Sequence, residues 1–449
     1  MTSEAAGDAS RMPRTRLWRV LRIAPGERRP LALSFTLFFL LLGGYYVLKP
    51  LREEMGIVGG IDHLQWLFSA TFLVMLAAVP LYSGLVARLP RRVFVPLVYV
   101  VFAASMVAFR AGLAVPDHEL RVWAARAFFV WTSVYALFVV SVFWSFMNDV
   151  FRPEQSERLF GVIAAGGSLG ALAGSAATAS LVGRLGTATL LWLPCFGLLA
   201  ATVCASKLDA WARRSRPATS SDRETTAGEV IGGSLLAGFA HVARSPYLLG
   251  ICAFLLCRTF CATIAYFQQA ELVRAAFPED AAARTRLFAS MNFAVQAISL
   301  ALQALVTGRL VTRLGLAATL ALLPLVYALG LASLSASWTL AILVAFGVAR
   351  QATNYGIATP STQMLWSVVP REDKYKAKSF VDTAVFRGGD AASSWAVDAL
   401  RSLLSLRAAA VVALPVCALW IAVAAWLGRR NREVETVREG PGASAVGPT

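Results

Sequence analysis

The sequence predicts an all-α membrane protein of about twelve transmembrane helices, arranged as two six-helix halves built from three-helix repeats. Three observations predict it. Of 449 residues, 57% are hydrophobic and 15% charged, with a mean hydropathy of +0.62, which is more apolar surface than one soluble core can bury. About twelve apolar runs, each near the roughly 20 residues a helix needs to cross hydrocarbon, alternate with short polar turns. One short text recurs at a period of three runs. The runs are continuously apolar instead of alternating, which excludes a transmembrane β-barrel.

Taken in order, residues 1–30 are basic and polar, with Arg11, Arg14, Arg16, Arg19, Arg22, Arg28 and Arg29. Lacking an apolar core, this segment is not a cleavable signal, and the first span must target the chain. A first half, 31–206, holds runs that begin near Leu31, Leu64, Val93, Val122, Leu159 and Thr187. The interval 207–233 is polar and reads as a linker. A second half, 234–428, holds runs from Tyr247, Leu287, Leu316, Trp338, Ala377 and Ala408, and a basic tail occupies 429–449. Cationic groups fall in alternate loops, which places both termini and the linker in the cytoplasm of a cell inner membrane. The same alternation accounts for the net charge of +16 without nucleic acid. The six cysteines lie within apolar runs with no Cys-x-x-Cys and no histidine ligand set, so neither a metal nor another cofactor is expected. There is no nucleophile–base set or paired catalytic carboxylates, hence no enzyme.

The recurrent text is "GLVARLPRRVFVPLVYV", "SLVGRLGTATLLWLPCFG", "RLVTRLGLAATLALLPLVYA" and "ALRSLLSLRAAAVVALPVCAL". Three-helix units, paired and then duplicated, resemble the build of the major facilitator superfamily. The first copy is similar to that superfamily's loop between helices two and three through Gly84, Arg88, Arg91 and Arg92, although Ala87 stands where an acid is expected. The resemblance implies a gating role for Arg88, Arg91 and Arg92, joined by Asp149 at the end of the fourth span. In the fifth span, Gly166, Gly170 and Gly174 recur every four residues, a spacing that lets helix backbones approach closely and that reads as packing or rocking between the halves.

Ionisable residues at membrane depth are costly and mark function. At about 1.5 Å per residue, Arg258, Arg350 and Arg387 each fall roughly 17–18 Å into spans seven, ten and eleven, at one mid-bilayer level. Their fork of donors suits a carboxylate or phosphate, while the competing reading has them tie helices together structurally. Asp390 lies one turn from Arg387 and can offset it. Near the end of the first span, Lys49 and Arg52 read as the outer electropositive lip of a pathway with Glu53 and Glu54 as exchangeable partners, and Pro50 as a break or kink.

"YYVLKPLREEMGI", "FWSFMNDVFRPEQSERLFGVIAAGGSLG" and "YGIATPSTQMLWSVVPREDKYKAKSFVDTAVFRGGDAASS" resemble segments of the nucleotide translocases of plastids and intracellular bacteria. That resemblance implies an exchanger of nucleotides. The departures from it are Asn354 where the family has a lysine, Thr362 and Gln363 for a Lys-Glu pair, and Asp390 for a second lysine. They imply a less charged, anionic or zwitterionic small-molecule substrate, such as a phosphorylated metabolite. The expected partners are that solute and the lipid bilayer, with no obligate protein partner. The substrate-binding candidates are Lys49, Arg52, Arg258, Arg350, Asn354, Arg387 and Asp390. The alternative is a non-transporting membrane protein that binds a lipid or a partner on the same scaffold.

Overall fold

A computed structural model describes residues 25–214, 242–369, 377–378 and 380–439. Most of the basic N-terminal segment, most of the linker, Lys374 and Lys376, and the last ten residues lie outside these. Among the described residues there is no strand. The first half comprises α1 (Arg28–Val58), α2 (Leu64–Arg88), α3 (Arg91–Leu113), α4 (His118–Val150), α5 (Pro153–Leu185) and α6 (Trp192–Arg214). The second comprises α7 (Pro246–Ala276), α8 (Ala281–Leu302), α9 (Gly308–Ala336), α10 (Leu340–Thr353), α11 (Thr359–Met364), α12 (Phe386–Leu403) and α13 (Leu406–Glu439). Two apolar cores form, one within the first half around Tyr99, Tyr135 and Phe143, the other around Phe254, Phe267 and Trp420 of the second half, which also takes in Ile57, Ile61, Leu64, Leu67 and Phe129 of the first.

The recurrent text is the turn between helices. Gly186 and Gly315, in the second and third copies, adopt φ of 74° and 77°, a left-handed conformation that glycine takes without strain, and the first copy reverses at Pro90, which caps α3. Elsewhere Asp117, Asp280 and Thr339 accept hydrogen bonds from the first turns of α4, α8 and α10, fixing where those helices start.

Two expectations on α1 are corrected. Pro50 does not end the helix, which continues to Val58. The Gly166, Gly170 and Gly174 stripe packs α5 on α1 within one half. A Cβ at Gly166 would lie 2.6 Å from the Phe35 carbonyl oxygen, and one at Gly174 would strike that of Gly43.

Nine stretches of the described chain are long and apolar enough to cross a membrane, and one of these, Ala281–Ala336, is two passes folded at Gly315. Residues 340–364 and 380–403 make two further passes that are less regular. The first is interrupted by a π-helical segment, Asn354–Ala358, and the second opens on another, Val381–Val385. A third, Gln303–Thr307, follows α8. A π turn releases carbonyls from the helical ladder. Here Gln303 Nε2 donates to the Tyr355 oxygen at 3.0 Å and Thr307 Oγ1 to that of Gly356 at 2.7 Å, so two π segments satisfy one another.

Candidate functional site

Polar contacts between the halves gather at the distal end of the bundle, where α1 gives way to α2; the opposite end is the termini end. Glu54, fully buried near the end of α1, receives Arg284 Nε at 2.7 Å and Nη2 at 2.6 Å, and that arginine is only 7% exposed. Its remaining nitrogen donates to the Phe277 and Pro278 carbonyls at 2.5 and 2.9 Å, which completes the fork. Asp62 pairs with Arg401, Trp395 Nε1 donates to Ser69 at 2.9 Å, and the Trp66 and Trp395 rings meet edge to face at 4.8 Å.

On the termini side of this closure lies a cavity of about 550 Å³ between the halves. Its first-half wall includes Tyr45, Lys49, Arg52 and Glu53 of α1 with Ser133 of α4; its second-half wall includes Tyr266, Gln269, Arg350, Arg387 and Asp390. A lobe of about 290 Å³ extends into the second half, lined among others by Arg258, Tyr327, Asn354 and Phe386. Arg350, Gln351, Tyr355 and Asp390 line both chambers. All seven substrate-binding candidates from the sequence therefore stand around two adjoining cavities that share a wall, although they come from four helices and a π segment.

Their surroundings differ. Arg350 is buried and held by neutral groups, donating to Tyr327 Oη at 3.4 Å and Gln269 Oε1 at 3.3 Å. The Arg258 guanidinium lies 4.8 Å from the centre of the Phe386 ring. Arg52 donates to Glu53 at 3.2 Å and to the Phe129 carbonyl at 3.3 Å, with its guanidinium 3.8 Å from the centre of the Phe129 ring. Lys49 Nζ is enclosed between the rings of Tyr46 and Tyr355, at 5.3 and 5.5 Å from their centres, and has no hydrogen-bond acceptor. Asn354 Oδ1 is likewise buried without a donor. Lys49 and Arg52 thus belong to the cavity wall and not to an outer lip, and Glu54 serves Arg284 instead of exchanging with them.

The expected gating residues lie at the termini end. Arg88, which ends α2, Arg92, in the first turn of α3, and Asp149, next to last in α4, are all exposed; the Arg91 side chain is outside the described residues. Arg92 also lines a small recess with Asp209 and Arg213, which pair at 3.3 Å. Sequence reasoning missed Arg284, Trp395 and Arg401. The available signal was a glutamate, Glu54, in an apolar helix with more cations than it could serve nearby. Among the described residues no cluster of three or more His, Cys, Asp or Glu side chains could hold a metal.

The sequence profile of the Major Facilitator Superfamily matches residues 31–273. ADP,ATP carrier protein 1 of Chlamydia muridarum (strain MoPn / Nigg) is 20% identical over 312 residues, spanning 61% of this chain and 58% of that protein. Among solved structures, a bacterial homolog of the human lysosomal transporter Spinster superimposes with a TM-score of 0.55 at 12% identity, covering 92% of this chain and 99% of the other. The POT family transporter PepTSo does so at 0.57 and 14%, covering 91% and 98%. At such identities these two likenesses speak for the fold alone.

Proposed function

Because this chain belongs to the Major Facilitator Superfamily, we propose that it is a secondary transporter that moves a small anionic or zwitterionic solute across the inner membrane by alternating access. One observation carries the substrate reading: the two adjoining cavities are lined by five cationic side chains, Lys49, Arg52, Arg258, Arg350 and Arg387, against the carboxylates Glu53 and Asp390. In a site shielded from water such an excess attracts and orients an oxyanion, and guanidinium forks grip it through paired charge-assisted hydrogen bonds. The distant likeness to a protein named an ADP,ATP carrier supports nucleotides and phosphorylated metabolites as the first solutes to test.

With both termini in the cytoplasm, the closed distal end faces outward and the cavity is served from inside. Solute binding draws the halves together at the termini end, where Arg88, Arg91, Arg92 and Asp149 take part in closure, while the contacts around Glu54 and Arg284 part. The reading includes no covalent step and is driven by exchange or an ion gradient. It is tested by uptake of labelled nucleotides, phosphorylated metabolites and amino acids into proteoliposomes. Saturable uptake that Arg350→Gln abolishes supports the reading, and uptake restricted to uncharged or cationic solutes refutes it.

A further inference from the structure

The placement of charge around the cavity specifies the solute further, resting on the transport reading above. Arg52 is matched by Glu53 at 3.2 Å. Arg387 has Asp390 one turn along α12, on the same helix face and lining the same cavity. After these offsets the surplus cations stand in two places. One is Lys49 in the first half, whose ammonium is enclosed by the Tyr46 and Tyr355 side chains and has no ion-pair partner among the described residues. The other is the second-half lobe, where Arg258, resting on Phe386, and Arg350, on Tyr327 and Gln269, share the wall with Asp390, and where Asp382 also lies within electrostatic reach of Arg258. The ion pairs found among the described residues are made by other cations.

An unpaired cation inside a membrane protein is costly, and in the lobe Arg258 and Arg350 share one lining carboxylate, Asp390, which also serves Arg387. An oxyanion at each place relieves this cost. Ring faces hold the Lys49 ammonium more weakly than a carboxylate or phosphate would, so a bound anion displaces them. Tyr355, which contacts Lys49 with its ring and lines the lobe as well, stands where the two places meet. A zwitterion would bring its own cation into a space already in surplus, and a solute with one anionic group would leave one place unpaired.

We infer that the solute carries two separated anionic groups, one received by Lys49 and the other by Arg258 and Arg350 in the lobe. Its chemical class is then the dicarboxylates and phosphorylated carboxylates, not the amino acids.

The test uses the full chain purified in detergent and titrates its thermal stability with unbranched dicarboxylates of graded length, their monocarboxylate counterparts, phosphorylated carboxylates, inorganic phosphate and zwitterionic amino acids. At least one two-headed probe is expected to bind about tenfold or more tightly than its one-headed counterpart, which is what a second charge-assisted contact supplies. Lys49→Gln removes that advantage, whereas Lys49→Arg, which keeps the charge, retains it; elution of both as single species separates this result from misfolding. If no two-headed probe outbinds its counterpart, or if Lys49→Gln keeps the advantage, the inference is overturned while anion transport stands. If no anion stabilises the protein and an amino acid does, the anionic reading of the site falls as well.

Discussion

Arg350 illustrates how far a single residue can be read. Its depth along the tenth span was legible, because a continuous helix advances a fixed distance per residue, and so was its suitability for an anion. What it touches was not, since Tyr327 and Gln269 come from other helices. Held by neutral partners, it keeps its charge available. Arg350→Gln should therefore abolish anion uptake at unchanged membrane expression, and Arg350→Lys should restore only part of it, because the charge returns without the planar fork. Uptake assays with surface quantification check both. Asp390 acts in the opposite sense. Asp390→Asn should free Arg387 and raise affinity for phosphorylated anions, and Asp390→Lys should raise it more, read as a fall in the half-saturating concentration. Arg126, only a few residues into the fourth span, donates its Nε to the Gly59 carbonyl at 2.8 Å; it ties α4 to the end of α1 and does not line the cavity.

At the scale of elements, the apolar runs marked the helices because hydrophobic length is a local property. The π segments were not legible. Whether a helix admits an extra residue in a turn depends on a partner that receives the freed carbonyl, and here the partners of Asn354–Ala358 are Gln303 and Thr307, some fifty positions away in the chain (separations of 52 and 49). The glycine stripe was legible as a close approach, but not which helix approached. Gly174→Ala drives a methyl group into the Gly43 carbonyl and should destabilise the fold by about 1–3 kcal/mol, measurable as a lower melting temperature in detergent. The Glu54–Arg284 pair, 230 positions apart, was invisible for the same reason as the π segments. Glu54→Gln removes one partner of a buried, bidentate pair and leaves the Arg284 guanidinium uncompensated, which costs about 3–5 kcal/mol in comparable sites. Since that arrangement exists only when the distal end is closed, the variant should favour the distally open form. Faster labelling of a cysteine at Ser69, beneath Trp395, in the Glu54→Gln protein than in the unmodified background checks this, after the native cysteines are replaced.

At the scale of the whole molecule, the proposal that the termini lie inside rests on the alternation of basic loops. Labelling of Ser337→Cys, on the exposed turn after α9, by an impermeant reagent added to intact cells, with no labelling of Arg152→Cys, is the expected pattern. The twofold plan was legible from the recurrent turn text, whereas the asymmetry was not: among the described residues the π segments and the lobe belong to the second half, while Lys49 and Arg52 belong to the first. Under the proposed function, a site assembled across the boundary between the halves links solute binding to their motion, because an anion is fully gripped only when both sides reach it. The central claim is thus that an anion in this cavity exchanges closure at one end for closure at the other. Spin-label distances across the halves test it most directly, between His118 and Leu403 at the distal end and between Arg152 and Arg309 at the termini end, all four positions being exposed. With a saturating transported anion, the distal distance should lengthen and the termini distance shorten, and Arg350→Gln should suppress both changes. Distances that stay the same with and without the anion, or that change equally in the Arg350→Gln protein, would contradict the account.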